Sequence, residues 1–506
     1  MCQHAWALVV YSFVLTTTPS LARADRTGFE ARVSTVPGHL LSVSHGDLDG
    51  DGLEDLVATY KRGASGQVDR YVAVFFRRAS GLPPKPDLAF EALDAAVVYD
   101  VGEVDGRPGD EIVYLTDTGV WAHGFPDREA HPVRRLVATA SLFAEPQRDA
   151  LSHWDYVRKI DGKVLVMVPG TRDIRMFRVG KAGLEPACRI RIDRRSTYSG
   201  AFSGASGMGG APFGLRVTTT LPTIDFIDAT GDGRADLVSH FEDFLSIYPG
   251  GEDGCFDLRP SHRQAMNART PEELSSGNMS AMATPVDLDG DDVADLVVTK
   301  IGGGLTDLHT EIRLHRSAKG GGFEKEPSQV FELSGFSAFS VFEDVDGDGA
   351  IEMVQPKAEI SIMALTQVLL SSTFSIDVLV RRAVKGRSFF SEEPVQTLST
   401  EMGIDFSRPN GLLGAIPQFG HDFDGDGRLD VLMSKGKDEM GLYRGVAGEE
   451  PFESDDKLGF DGPGSIATRV VDPGKGRAPE VVVWYPGRPG MKGTIRSYRP
   501  VKSTEK

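Results

Sequence analysis

The sequence predicts an all-β protein: a β-propeller of about eight four-stranded blades, or seven as the alternative, in which the N-terminal strand closes the ring. Three observations favour this fold. A nine-residue Asp/Gly segment occurs five times, each copy leads directly into an apolar run, and the copies recur at intervals of about 60 residues or multiples near it. Repeats of about 40 to 60 residues with several short strands are typical of propellers and solenoids.

The five Asp/Gly segments align without gaps over nine positions. Each is followed at once by an apolar pair, such as Leu56-Val57 after the first, and such pairs are typical of the start of a strand. The segments are DLDGDGLED from Asp47, DATGDGRAD from Asp228, DLDGDDVAD from Asp287, DVDGDGAIE from Asp344 and DFDGDGRLD from Asp422.

The spacing of the acids in these segments predicts binding of a hard cation. Ca²⁺ takes six to eight oxygens and tolerates irregular geometry, so acids at positions 1, 3, 5 and 9 of a coiled loop can share one ion. Glycine at positions 4 and 6 permits the positive φ that such a coil needs, and the exception, Asp292, tolerates it better than most residues. The candidate ligands of about five Ca²⁺ ions are Asp47, Asp49, Asp51, Asp55, Asp228, Thr230, Asp232, Asp236, Asp287, Asp289, Asp291, Asp295, Asp344, Asp346, Asp348, Glu352, Asp422, Asp424, Asp426 and Asp430.

An EF-hand begins in the same way but does not fit these segments. It requires a bidentate Glu at position 12 and a helix on both sides. The residues that follow each segment alternate or run apolar like strands. Position 12 holds no carboxylate in any copy: it is Ala58, Ser239, Val298, Gln355 or Met433.

Two further segments look like degenerate copies. The first, from Glu103, keeps acids at positions 1, 3 and 9 but has Arg107 at position 5, and we expect that arginine to replace the ion with an ion pair. The second, from Asp472, keeps only positions 1 and 9, and we expect a peptide turn there. The gap between Glu103 and Asp228 spans two repeats, and Tyr156–Val168 supplies a strand–turn–strand without the acids at its midpoint.

The two ends of the chain favour a closed ring. After the last repeat there is room for only two strands, Glu480–Tyr485 and Thr494–Tyr498, whereas the N-terminus has an extra strand at Phe29–Val36. If the N-terminal strand completes the last blade, that blade has its full set of strands and the sheet has no open edge.

The pattern D-x-D-G-D-G-x-x-D-[LV] at this spacing resembles the FG-GAP/VCBS repeat family, which includes the integrin alpha-subunit propeller. The resemblance extends over nearly the whole of residues 25–506. It implies Ca²⁺ bound between the first two strands of a blade, and it implies a weaker site where Thr230 replaces an acid. The best-known propeller of the family has seven blades, so the repeat near residue 160 is the one that decides the count.

Charge and the first residues constrain the location of the protein. The chain of 506 residues has a net charge of −18, which argues against nucleic-acid binding. Residues 1–24 predict a signal peptide, with an apolar run at Ala5–Leu15 and a small-x-small site ending at Ala24. Since no later apolar stretch reaches transmembrane length, we expect a secreted, periplasmic or cell-surface protein. Cys188 and Cys255 then either form a disulfide or remain apolar thiols.

The sequence predicts binding more readily than catalysis. No catalytic residue is assigned, because the motifs of serine hydrolases, zinc proteases, P-loop enzymes and C-x-x-C proteins are absent. We expect a calcium-stabilised module that binds a protein or polysaccharide, with insertions near 200–214, 263–283 and 357–418 as candidate recognition elements. A polysaccharide lyase built on the propeller is the alternative, and a passive structural module is a third possibility.

Overall fold

The computed structural model describes residues 28–501 except for short gaps. The predicted signal peptide lies outside the described residues, as does most of the 200–214 insertion. The gaps are 65–66, 144–145, 147–148, 182, 203–212, 242, 267, 271, 274–278, 305–307, 338, 362–363, 365–367, 369, 387, 405–411, 437–438, 462–466, 475, 486–487 and 489.

The described chain forms an eight-bladed β-propeller, and each blade contains a four-stranded antiparallel sheet. Blade 1 comprises β2 (His39–Gly46), β3 (Asp55–Ala64), β4 (Gln67–Phe75) and β5 (Leu88–Glu91). Blade 2 comprises β6 (Val98–Gly102), β7 (Glu111–Leu115), β8 (Gly119–His123) and β9 (Arg134–Ala138), with β10 (Ser152–His153) added parallel to β6. Blade 3 comprises β11 (Val157–Ile160), β12 (Lys163–Pro169), β13 (Asp173–Gly180) and β14 (Gly183–Arg191).

A two-stranded ribbon, β15 (Arg195–Phe202) with β16 (Phe213–Thr220), separates blade 3 from blade 4. Blade 4 comprises β17 (Thr223–Ile227), β18 (Asp236–Phe241), β19 (Phe244–Tyr248) and β20 (His262–Ala265). Blade 5 comprises β21 (Met279–Val286), β22 (Asp295–Gly302), β23 (His309–His315) and β24 (Gln329–Ser334). Blade 6 comprises β25 (Val341–Glu343), β26 (Glu352–Ala358), β27 (Thr373–Arg381) and β28 (Gln396–Ile404), extended by β29 (Leu412–Leu413).

Blades 7 and 8 complete the ring. Blade 7 comprises β30 (Gln418–His421), β31 (Asp430–Ser434), β32 (Glu439–Gly445) and β33 (Phe452–Asp461). Blade 8 comprises β34 (Ala467–Val471), β35 (Glu480–Trp484) and β36 (Thr494–Pro500), and its fourth strand is β1 (Phe29–Thr35). β1 pairs with β36 in an unbroken antiparallel register from Phe29↔Pro500 to Thr35↔Thr494. The predicted closure of the ring by the N-terminal strand is therefore confirmed.

The count of eight blades is confirmed, and the seven-blade alternative is wrong. Blade 3 is the blade that decided the count. It has a complete sheet although the turn between its first two strands, at Asp161-Gly162, contains only one acid. The fold of a blade therefore does not depend on the Asp/Gly loop, because the strand pattern alone forms the sheet.

The hydrophobic core lies between neighbouring blades. The second strand of a blade is packed on both faces, which is why β7 (EIVYL) and β31 (DVLMS) are buried at every residue. Apolar clusters join adjacent sheets, as where Val104 of blade 2 packs with Leu165 of blade 3. First strands contact each other around the centre, so they line the central channel and the fourth strands form the rim.

Cys188 and Cys255 meet across the boundary between blades 3 and 4. The Cys188 thiol, on β14, donates a hydrogen bond to Met176 Sδ over 3.7 Å. Burial raises the pKa of Cys188 to about 12, and the neighbouring Cys255 thiol adds to the shift. Both are free thiols in this structure. The high pKa makes the Cys188 thiolate scarce at neutral pH.

The lengths of the helices and the packing of three tryptophans complete the description of the fold. No helix among the described residues is long and apolar enough to cross a membrane. Trp121, Trp154 and Trp484 are half-buried and pack against the apolar clusters of their blades. These tryptophans therefore contribute to the packing of their blades.

Candidate metal centres

The five Asp/Gly loops each connect the first two strands of a blade, in blades 1, 4, 5, 6 and 7. Because the first strands of all blades run in the same direction, these loops lie on one face of the ring, which we call the loop face. The degenerate copies from Glu103 and Asp472 occupy the same place in blades 2 and 8.

The carboxylate at position 1 coils the loop around itself. In all five loops the N–H of position 6 donates to its Oδ2 over 2.6–2.9 Å. In the Asp287 loop, the N–H groups of Asp289, Gly290 and Asp291 also donate to Asp287 Oδ1. One side chain thus holds a full turn of backbone, which is a strong form of the Asx turn.

The carboxylate at position 5 holds the second half of each loop. In every loop its Oδ1 accepts the N–H of position 7 over 2.8–3.0 Å. The carbonyl group of position 7 is thereby fixed relative to the acids, as a carbonyl ligand would need to be.

The carboxylate at position 9 is buried and is clamped by backbone amides. One of its oxygens accepts the N–H of position 2 over 2.7–3.3 Å in all five loops. In four loops the other oxygen accepts an N–H from the end of the third strand, as from Arg77 to Asp55 over 2.7 Å. Position 9 therefore ties the loop to the third strand, a role that the spacing alone did not predict.

Backbone conformation matches the expected coil. The glycine at position 4 has a φ between +70° and +81° in all five loops. Position 6 is equally left-handed, and Asp292, the single non-glycine residue there, has a φ of +65°. The predicted tolerance of Asp292 for this conformation is confirmed.

The acids of three loops converge closely enough to share an ion. Single carboxylate oxygens lie within 4.8 Å of one another in the sets Asp47, Asp49 and Asp55; Asp287, Asp289 and Asp291; and Asp344, Asp346 and Asp348. The loops from Asp228 and Asp422 have the same hydrogen bonds at positions 1, 5 and 9.

Two buried carboxylate oxygens in the loops lack a partner. Asp47 Oδ1 and Glu352 Oε1 are inaccessible to solvent and accept no hydrogen bond. A buried unpaired carboxylate oxygen is costly, and a cation would satisfy it. The donor set is entirely oxygen, which suits Ca²⁺. The residues present therefore fit a calcium ion.

Arginines bind the acid at position 3, and the sequence did not predict them. Arg316 at the end of β23 contacts Asp289 over 2.5 Å, and Arg444 of β32 contacts Asp424 over 3.4 Å. Arg382 makes the equivalent contact with Asp346. All three lie at the end of the third strand, so each can orient one carboxylate oxygen while the other is left for a metal.

The Asp47 loop receives its arginine from the neighbouring blade. Arg128, in the turn after β8, contacts Asp49 over 2.5 Å and Asp51 over 3.4 Å. This loop therefore also joins blades 1 and 2 electrostatically.

The degenerate loops differ in part from expectation. In the Glu103 loop, Arg134 of β9 makes the close contact with Asp105, whereas Arg107 lies 3.9 Å away and is 74% exposed. The expected ion pair exists, but its main partner was assigned wrongly, because Arg107 points into solvent. In the Asp472 loop, the Gly474 N–H donates to Asp472 Oδ1 over 2.9 Å and forms the expected peptide turn.

In the Asp472 loop, the acid at position 9 pairs with an arginine side chain from another blade. Glu480 accepts a hydrogen bond from Arg77 Nη1 over 2.5 Å, and the two side chains are 4% and 0% exposed. Arg77 belongs to blade 1 and also donates from Nε to the Glu54 carbonyl oxygen over 2.5 Å. A buried ion pair thus joins the first and last blades.

Burial raises the pKa of the position-9 acids. The pKa is about 7 for Asp55, Glu352 and Asp430, and about 6 for Asp295. Desolvation is the largest cause, and repulsion from neighbouring acids of the same loop adds to it.

These pKa values predict that stabilisation by calcium depends on pH. Without metal, the folded loops retain protons that the unfolded chain has released, so the free energy of unfolding falls as pH rises from about 4 to about 7. Ca²⁺ binds the charged form, so its stabilising effect should grow over the same window. We expect the difference in unfolding midpoint between calcium-loaded and dialysed, metal-free protein to be small at pH 5 and largest at pH 8. An equal difference at both pH values would contradict this assignment.

A small cavity of about 200 Å³ lies beside the Glu103 loop, between blades 1 and 2. It is lined by charged side chains of both signs, including Asp110, Arg134 and His131. Burial raises the pKa of Asp110 to about 6, and its Oδ2 accepts the Asp47 N–H over 2.9 Å. Small-molecule sites usually measure about 300 to 1,000 Å³, so this cavity is too small for a chain of sugars.

Neither a scan against protein-family models nor a search of curated proteins gave a match. Solved structures show distant likeness. An Agrocybe aegerita lectin that recognises non-reducing terminal N-acetylglucosamine has 15% identity and a TM-score of 0.34, with 83% of this chain and 81% of the lectin covered.

Two further structures have 10% identity. BBS1N, solved in complex with ARL6DN, has a TM-score of 0.39 over 94% of this chain and 97% of its own. The V. cholerae biofilm matrix protein Bap1 has a TM-score of 0.37 over 93% of this chain and 88% of its own. At such scores these likenesses say nothing about what this chain binds.

Proposed function

We propose that this protein is an exported, calcium-stabilised β-propeller of the FG-GAP/VCBS type that binds a protein or polysaccharide through one face of its ring. The observation that carries the calcium part is the repetition of one hydrogen-bond pattern in five loops, with acids at the same four positions in four of them and at three in the Asp228 loop. Export rests on the apolar run and the small-x-small site in residues 1–24.

Calcium would be held by the twenty residues at positions 1, 3, 5 and 9 of the five loops. When bound, calcium would neutralise the negative charge of the clustered carboxylates. The chain itself already orients these acids, because backbone amides fix positions 1, 5 and 9 and arginines fix position 3. The role we assign to the loops is structural: each links the first hairpin of its blade to the third strand.

Binding is favoured over catalysis by where the polar groups lie. Each proposed metal loop is a short turn on the loop face and uses its acids internally. Arg134, which lines the cavity beside the Glu103 loop, already pairs with Asp105, so it is not available to a substrate. Recognition is therefore assigned to surface elements between blades, of which the ribbon β15–β16 is the longest that the structure describes.

A panel experiment tests this function. The purified protein, in about 1 mM Ca²⁺, the upper end of the Kd range of extracellular calcium modules, is applied to immobilised proteins and to neutral and acidic polysaccharides. Retention without new unsaturated sugar ends is the expected result. Appearance of unsaturated ends would instead identify a lyase, and no retention on any ligand would reject the binding function.

A further inference from the structure

The charge of the protein is distributed very unevenly. Blade 3 and the ribbon, residues 157–220, contain 12 Lys and Arg against 4 Asp and Glu, a net charge of +8. Since the whole chain carries −18, the rest of it carries −26. The one blade whose first turn lacks the acidic pattern is thus strongly basic.

Six of these twelve basic residues lie at, or just beyond, the end of blade 3 that is opposite to the loop face. β13 begins and β14 ends there, and the register places Asp173 beside Arg191 and Arg175 beside Arg189. The ribbon starts at Arg195, after three intervening residues. We define the basic patch as Arg172, Arg175, Arg189, Arg191, Arg194 and Arg195.

The acids within the basic patch do not neutralise it. Asp173 is shared between Arg175 and Arg189, at 3.6 Å from each. Asp193 pairs over 2.9 Å with Arg263, which comes from blade 4. The ion pairs of these two aspartates therefore involve Arg175 and Arg189 of the patch and Arg263 of blade 4.

Several arginines of the patch are accessible, and one is anchored. Arg172, Arg191 and Arg195 are exposed, and the side chain of Arg189 is 59% exposed. Arg175 is held by the preceding blade, since its Nη1 donates to Thr139 Oγ1 and its Nη2 to the Ala140 carbonyl oxygen, both over 2.5 Å. The anchored residue gives the patch a fixed position on the blade.

Aromatic side chains flank the patch. Tyr198, on the ribbon, is 70% exposed and stands opposite Val217, which is 51% exposed. Phe244, the first residue of β19, is 42% exposed and lies under the Arg263 guanidinium at 4.7 Å. Hydroxyl groups of Ser196 and Thr219 line the same face of the ribbon as Tyr198.

We propose that the basic patch and the adjoining ribbon bind an acidic polysaccharide, whose carboxylate or sulfate groups pair with the arginines. This inference rests on the proposed binding function and names its ligand class. Guanidinium groups match planar anionic groups in bidentate geometry, and aromatic faces with neighbouring hydroxyls suit sugar rings. Duplex DNA fits less well, because its dense charge would be repelled by the −26 on the rest of the ring.

The test uses the purified protein with Ca²⁺ and soluble polygalacturonate, a uronic-acid polymer, with dextran as the neutral polysaccharide and duplex DNA as the competing polyanion. We expect binding to polygalacturonate that weakens with added salt. The double variant Arg189→Gln/Arg191→Gln should weaken that binding about tenfold, which is about 1.4 kcal/mol. The control Arg107→Gln/Lys319→Gln removes the same charge from exposed positions on the loop face and should leave binding unchanged.

The other outcomes each overturn the proposal. Equal loss in both double variants would mean a general charge effect, and tighter binding of DNA than of polygalacturonate would mean a nucleic-acid surface. Self-association lost in the Arg189→Gln/Arg191→Gln variant, without glycan binding, would mean that a second copy covers the patch. Binding to dextran alone would reject the patch as the site but would leave the proposed binding function standing.

Discussion

Removal of Ca²⁺ is expected to lower the midpoint of thermal unfolding of this protein by about 10 °C or more. A ligand that binds only the folded state at 100 times its Kd adds about 2.7 kcal/mol per site, and five loops carry the acids for such sites. Without the ion, each loop holds three or four carboxylates together, one of them buried. The measurement is thermal unfolding of dialysed protein titrated with Ca²⁺.

Mg²⁺ and two single variants serve as controls for this prediction. Mg²⁺ demands near-octahedral geometry and keeps its waters, so it should stabilise much less at equal concentration. Asp422→Asn should remove about a fifth of the calcium effect, since it disables one of five sites. Asp472→Asn, at the same position of a loop without acids at positions 3 and 5, should not change it. An unfolding midpoint that is the same with and without Ca²⁺ would reject the calcium sites.

Replacement of Arg77 by Met is expected to cost about 3 to 5 kcal/mol of stability, because it leaves the buried Glu480 carboxylate without its cation. Arg77 and Glu480 are 0% and 4% exposed, and they join blade 1 to blade 8. The measurement is the denaturant midpoint at pH 7 in Ca²⁺. The double variant Arg77→Met/Glu480→Leu should recover most of the loss, since it removes both charges together.

Arg78 provides the matched control for Arg77. It is the next residue, its side chain is 51% exposed, and it pairs over 2.5 Å with Asp87. Exposed ion pairs contribute about 0 to 1 kcal/mol, so Arg78→Met should be close to neutral. If Arg77→Met proves as mild as Arg78→Met, the ion pair does not hold the first and last blades together.

The fold could be predicted because its signals are local and repeated. Nine consecutive residues specify each Asp/Gly loop, and their spacing located the first hairpin of five blades. Blade 3 lacks the acids, but the strand–turn–strand at Tyr156–Val168 and the double-length gap were sufficient to count it. The position of the N-terminal strand follows by elimination, because the last blade is the only one that still needs a strand.

The partners of the acids could not be predicted in the same way, because they come from elsewhere in the chain. Arg316 is 27 residues from Asp289, and Arg77 is 403 residues from Glu480. A weaker signal does exist: Arg316, Arg382 and Arg444 each follow an apolar third strand and precede a buried aromatic residue, Phe323, Phe389 or Phe452. For the Glu103 loop, proximity in sequence was misleading, because Arg107 was nearer along the chain than Arg134 but farther in space.

Closure of the ring by β1 has a consequence for biosynthesis. β1 of the ring pairs with β36, Phe29 with Pro500, so the ring stays open until β36 has been synthesised. Each Asp/Gly loop, by contrast, can form as soon as its nine residues emerge. Contacts of such large sequence separation form slowly, and until then β1 and blade 8 each have an unpaired edge. A chain that stops before Thr494 lacks β36, so the edges of β1 and β35 both stay unpaired.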